Sequence, residues 1–186
     1  FDTPPYLQKN NTIEITVDNS RKDITPISAD FTFWGGIYRD VWLITTSEQH
    51  FNLLNHGSDG IFISTPHVDE KEATIEIRSE ITNDATEKAT LEVIHQIYDP
   101  QGKLQQTLKQ RLSVKASAIG QPQLWSPESP RLYEIVTTLR NPKTGMELDR
   151  STHKTGFRWF SFDGEKGFSL NGKPYKLRGV NRHQDQ

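Results

Sequence analysis

The stretch KLRGVNRHQDQ, residues 176–186, concentrates groups able to line an active site: Arg178, Asn181, Arg182, His183 and Asp185. A neutral imidazole such as that of His183 can donate or accept a hydrogen bond beside a polyol without adding a fixed charge. The run Tyr175–Val180 reads as a strand. Alternation then places Arg178, Val180 and Arg182 on one face, and Leu177, Gly179, Asn181 and His183 on the other. The plainer alternatives are an exposed histidine near the chain's end and, for Arg178, a structural ion-pair residue, since a buried arginine needs a partner. A second polar position, Asp30, lies in SADFTFWGG. Its carboxylate could accept two hydrogen bonds from adjacent hydroxyls, or it could be a solvated loop residue or a turn cap. Phe31, Phe33 and Trp34 beside it could stack on a ring or fill a domain junction. Arg39 follows the Gly35-Gly36 bend and is expected to anchor one domain to the next through its planar guanidinium. Trp42, Trp125 and Trp159 are expected to be core or domain-interface aromatics. No three aromatics are expected to line up on one exposed face.

Composition removes several other chemistries. The chain has no cysteine, so it has no disulfide, no thiolate metal site and no thiol nucleophile. Its six histidines include no short metal-ligand pair, and no metal site or cofactor is expected of this chain. Net charge is −2 with scattered lysines and arginines, which does not suggest a nucleic-acid partner. No apolar run approaches the roughly 18 residues of a membrane span. Asn10-Asn11-Thr12 is a glycosylation triplet of a kind common by chance. Nothing here fixes a compartment, although a periplasmic or secreted parent is favoured over a cytoplasmic one.

The elements that must position these groups are strands. Short alternating runs dominate: TIEITV from Thr12, VWLITT from Val41, GIFIST from Gly60, ATIEIRSEI from Ala73 and ATLEVIHQIYD from Ala89. DPQG at 99–102 is a turn with Pro second and Gly fourth. In KLQQTLKQRLSVK, Leu104, Leu108 and Leu112 recur every four residues, which fits a helix face as well as a strand. The flanking turns and β-runs favour a strand. RLYEIVTTLR and MELDRSTHKTGFR come next, joined by NPKTG. The chain is therefore expected to be all-β. Residues 48–158 give roughly seven strands, the rhythm of an immunoglobulin-like β-sandwich. Asn171-Gly172 marks a tight hairpin between two short β-runs. Residues 1–47 hold two strand-like runs around a long irregular stretch, too little for an independent sheet.

FTFWGGIYRDVWLI (31–44) and GFSLNGKPYKLRGVNRH (167–183) resemble two signature segments of family 2 glycoside hydrolases, and look closest to the β-galactosidases among them. LWSPESPRLY (124–133) is similar to a segment near the end of that family's sandwich. The resemblance implies three parts: 1–47 as the end of a sugar-binding jelly roll, 48–158 as the sandwich, and 159–186 as the first hairpin and strand of a (β/α)8 catalytic barrel. It implies that Asp30, Asn181 and His183 contact the sugar in a longer parent, with His183 helping to stabilise an oxocarbenium-like transition state. Arg39, Arg178 and Trp125 are left as structural or interface residues. The family's retaining mechanism uses two glutamates about 5–5.5 Å apart. No glutamate of this chain stands in either context, so the piece alone is expected to be inactive, and a metal in the parent's barrel is left open.

The parent's expected substrate is a terminal β-D-galactoside or related glycan, with β-glucuronidase and β-mannosidase as near alternatives. A non-enzymatic carbohydrate-binding module and a purely structural spacer are the competing classes. Unpaired strand edges are sticky, so self-association is a further expectation.

Overall fold

In β5 (Glu92–Tyr98) every second side chain is buried, and the same period of two runs through β3 (Glu72–Ser79). Alternation of this kind gives a strand one face for the core and one for water. The computed structural model describes residues 9–18, 36–37, 39–86, 90–110 and 115–181. Before β3 come β1 (Gln49–Phe51) and β2 (Ile61–Val68); β4 (Ile81–Asn83) lies between β3 and β5. After β5 come β6 (Leu104–Gln110), β7 (Lys115–Gly120), β8 (Tyr133–Arg140) and β9 (Glu147–Thr155). The last group is β10 (Phe160–Asp163), β11 (Gly167–Leu170) and β12 (Lys173–Pro174). The described residues contain no helix, and the protein is all-β as its sequence pattern implies.

Two antiparallel sheets carry the sandwich. One has the order β6-β5-β8-β9 and the other β2-β3-β7, while β1 and β4 pair as a short ribbon. Three rungs across β5 and β8 build the centre: Val93 opposite Leu139, His95 opposite Thr137, and Ile97 opposite Ile135. The other sheet supplies Ala73, Ile75 and Ile77, all fully buried. These apolar residues belong to one cluster, which the aromatic pair Tyr133 and Phe157 closes at 4.7 Å. Strand β8 is buried along nearly its whole length, unlike the equally central β5.

The leucine-spaced run at 103–115 divides between the two sheets. Leu104–Gln110 forms the edge strand β6, and Lys115–Gly120 crosses to become the edge strand β7 of the other sheet. Leu108 stands opposite His95 and is buried, so ladder pairing rather than a helical stripe explains its position. Leu112 lies outside the described residues.

Two expected strands are not strands. Thr12–Val17 and Val41–Thr46 have no ladder partner among the described residues. A strand exists only through its partners, and alternation alone cannot supply one. The alternating residues Ile13, Ile15 and Val17 are exposed, as is Trp42 at 77%. Trp42 is therefore not a core residue among the described residues, which leaves the domain-interface alternative for it. The chain separates into two compact units, Thr46–Lys176 and a second formed by Phe1–Thr45 with Leu177–Gln186.

Candidate functional site

The hairpin after the sandwich is built around Asn171-Gly172. Both residues adopt positive φ, 49° and 73°, and Leu170 pairs directly with Lys173. A two-residue turn with both φ positive matches the twist of its strands, which explains the choice of Asn and Gly. Asn171 also fastens the hairpin to the sandwich. Its N–H donates to the Trp159 carbonyl (2.9 Å), its side-chain oxygen accepts from the Trp159 N–H (3.2 Å), and its amide donates to the Trp125 carbonyl (3.0 Å). Trp125 in turn donates its N–H to the Phe157 carbonyl at 2.8 Å and carries the Arg158 guanidinium over its ring at 4.7 Å. Gly156 is needed here for space: a β-carbon on it would lie 2.8 Å from the Trp125 Cβ. Trp125 thus sits half-buried at the join between sandwich and hairpin.

Register then gathers aromatics on one face. Phe162 pairs with Phe168 and Phe160 with Leu170, so these four share a side of the sheet, while Ser161 and Ser169 take the other. Ring centroids are 6.0 Å apart for Phe160 and Phe162, 5.1 Å for Phe162 and Phe168, and 6.3 Å for Phe168 and Tyr175. Phe160 is 62% exposed and Phe162 72%. An exposed aromatic face therefore exists, against the expectation of none. The twofold step F-x-F before an Asn-Gly hairpin was the signal, because the turn fixes which residues oppose each other.

The rim of this face is polar. The Tyr175 hydroxyl donates to Glu128 at 3.1 Å. Glu128 is held below the usual carboxylate range, chiefly by its own backbone N–H, with further help from Tyr175 and Ser126. Asp163 is likewise lowered because the N–H groups of Lys166 and Glu165 donate to it, which caps the turn between β10 and β11.

Of the residues singled out for sugar contact, Asp30 and His183 lie outside the described residues, as do Phe31, Phe33 and Trp34. Asn181, Arg178 and Arg39 are exposed. Among the described residues, no three His, Asp or Glu side chains gather as a metal site would need.

Two further features lie on the sandwich. Asp59 accepts hydrogen bonds from Ser151 (2.5 Å) and His153 Nε2 (2.8 Å), which ties the approach to β2 to strand β9 across the sheets. Burial pushes the Asp59 carboxyl up. The Ser151 hydroxyl, the charge of His153 and the Ile61 amide together outweigh that and hold it below its ordinary 3.8. The other ring nitrogen of His153 is buried without a partner, so this cluster is a fastening and not a proton relay. A shallow cavity of about 550 Å³ opens between Tyr98, Arg131, Leu132 and Lys154. The nearby Asp99 carboxylate is occupied by the N–H groups of Gln101 and Lys103 and by Gln105.

Comparison with known proteins places these elements in a family. A model of the group described as glycosyl hydrolases family 2 matches residues 59–158. A β-galactosidase of Bacteroides ovatus is 33% identical over the whole of this chain, which covers 22% of that protein. A β-glucuronidase of Bacteroides fragilis is also 33% identical over the whole chain, covering 28% of its length. The solved structure of a Bacteroides uniformis β-glucuronidase, covalently bound to a cyclophellitol-6-carboxylate aziridine, superimposes with a TM-score of 0.82. It is 61% identical over 91% of this chain and 22% of its own. The chain thus spans between about a fifth and under a third of the length of these relatives.

Proposed function

The chain belongs to family 2 of the glycosyl hydrolases, and from that premise we propose that it serves a longer β-glycosidase as the part that positions a catalytic barrel. In this reading the longer protein removes a terminal β-D-glycosyl residue with retention, using two carboxylates that lie outside the present 186 residues. Asp30, Asn181 and His183 contact the sugar, and the sandwich with its hairpin sets where those contacts fall. Positioning of this kind matters because about 1 Å of misplacement can cost roughly a hundredfold in rate.

The observation that carries the sugar assignment is the 61% identity to a β-glucuronidase that holds a carboxylate-bearing ligand covalently. It supports a β-D-glucuronide as the terminal residue. The β-galactoside reading has its own support in the two signature segments and in the 33% identity to the Bacteroides ovatus enzyme. A protein of the relatives' length, given the nitrophenyl β-glucuronide, β-galactoside and β-mannoside in parallel, tests both. Turnover is expected on the glucuronide above the galactoside, and none from the 186-residue chain alone. Turnover on none of the three by the long protein would end the glycosidase reading, and the reverse sugar order would replace the glucuronide by the galactoside.

A further inference from the structure

We propose that the cavity at the end of the four-stranded sheet binds an uncharged sugar unit of a glycan. The proposal rests on the glycosidase reading of the preceding section and adds a place on the sandwich where such a glycan is held. The cavity lies wholly within the compact unit Thr46–Lys176.

Register builds its floor. Tyr98 stands opposite Glu134, and Glu134 opposite Lys154, so one rung crosses β5, β8 and β9. The neighbouring Ile97 and Ile135 belong to the core, so alternation turns this rung to the outer face. Two fixed segments wall it. One is the β5–β6 turn with Pro100, closed by the Gly102 N–H on the Asp99 carbonyl at 2.9 Å. The other is Pro130–Leu132, where the Arg131 N–H donates to the Ser129 carbonyl at 2.7 Å. The side-chain amides of Gln101 and Gln123 exchange hydrogen bonds of 3.1 and 2.6 Å, which ties the turn to the segment leading to the second wall. A depression of about 550 Å³ held in this way falls within the roughly 300–1,000 Å³ of pre-formed small-ligand sites.

Its polar groups select the ligand. Opposite charges that face each other across a sheet commonly pair. Glu134 and Lys154 do not, and among the described residues neither side chain makes a hydrogen bond. Arg131 engages Ser129 Oγ through Nε at 3.2 Å, while both Asp99 oxygens are occupied by the turn and Gln105. Two cations, Arg131 and Lys154, balance two carboxylates, Glu134 and Asp99. An anion would therefore meet Glu134, a cation would meet Lys154 and Arg131, and an apolar segment would bury charges without partners. A pyranose offers the complement. Its hydroxyls donate to Glu134 and accept from Lys154, and its C–H faces suit the apolar surfaces of Pro100, Pro130 and Leu132.

The test titrates cellobiose and lactose into the 186-residue chain and follows backbone amide shifts by NMR. At least one disaccharide should saturate, with shifts at 98–103, 131–134 and 154. Lys154→Ala and Glu134→Gln should each weaken that binding about tenfold and leave the melting temperature unchanged. Arg131→Ala, outside the strand ladders, serves in place of either variant that unfolds and should weaken binding likewise. Saturation by neither sugar overturns the proposal, as do shifts that gather elsewhere or binding that the variants leave unchanged. Glucuronate bound tenfold more tightly than both disaccharides would make this an anion site and also overturn it. The readout is binding and needs no turnover. Its failure leaves the turnover assay of the longer protein standing, and a longer protein without turnover leaves this binding standing.

Discussion

Thr137 is a polar residue in the middle of an apolar stack, and its hydroxyl lies 2.9 Å from Nδ1 of the fully buried His95. A buried donor or acceptor that loses its partner costs about 1–3 kcal/mol. Thr137→Val keeps the shape of the side chain and removes the partner, so it should lower unfolding stability by about that amount in urea titration. A variant as stable as the wild type would show that this contact does not matter. Asp59 gives a prediction in pH. Its folded pKa is lowered, so its contribution is present above the unfolded value of 3.8 and is lost as pH falls through the lower folded value. Asp59→Asn should therefore unfold at lower denaturant near neutral pH and match the wild type in strong acid. The effect should be modest, since Asp59 is 42% exposed and screened by water. A gap that widens on acidification would refute this assignment. Residue-scale chemistry was only partly legible in the sequence. Asn171-Gly172 could be read because positive φ restricts the residue types. The Asp59–Ser151 and Asp59–His153 contacts could not, because only the fold brings residues 92 positions or more apart together.

Elements were more legible than contacts between them. The strands β3, β5 and β8 can be read from their sequence, because each buries one or both faces against fixed neighbours. The run 103–115 shows the limit: its flanking turns marked it as β but did not say that it changes sheets. The aromatic face escaped notice for a related reason. Phe160, Phe162, Phe168 and Tyr175 look scattered until the turn at Asn171 sets the register that joins them. The hairpin's hold on the sandwich belongs to this scale. Asn171→Ala removes the side-chain bonds to Trp125 and Trp159 and places alanine at a φ of 49°. It should cost about 1–3 kcal/mol, seen as loss of near-ultraviolet tryptophan signal before the sandwich itself melts. Simultaneous loss of both signals would show that hairpin and sandwich unfold as one. Gly156→Ala should have a comparable effect, because the new methyl meets the Trp125 side chain at 2.8–3.0 Å. Unchanged stability in thermal unfolding would mean that Trp125 can shift.

For the whole molecule, the division into two compact units fits a chain that covers 22% and 28% of two of its relatives. Family membership was readable from the segments 31–44, 124–133 and 167–183 taken in order, whereas Asp30 and His183 lie outside the described residues. Adding the separately expressed remainder of a relative-length protein to this chain should restore turnover on a β-glycoside. No restoration from the two folded, mixed parts would argue that they must fold together. The hairpin's anchorage has a last consequence, for stiffness. Asn171 bolts the hairpin to Trp125 and Trp159, and Tyr175 closes it with its N–H on the Phe168 carbonyl at 2.9 Å and its hydroxyl on Glu128. The hairpin is thus a rigid bracket rather than a swivel. A glycine placed within the bracket would therefore have to break these bonds before its strands could part.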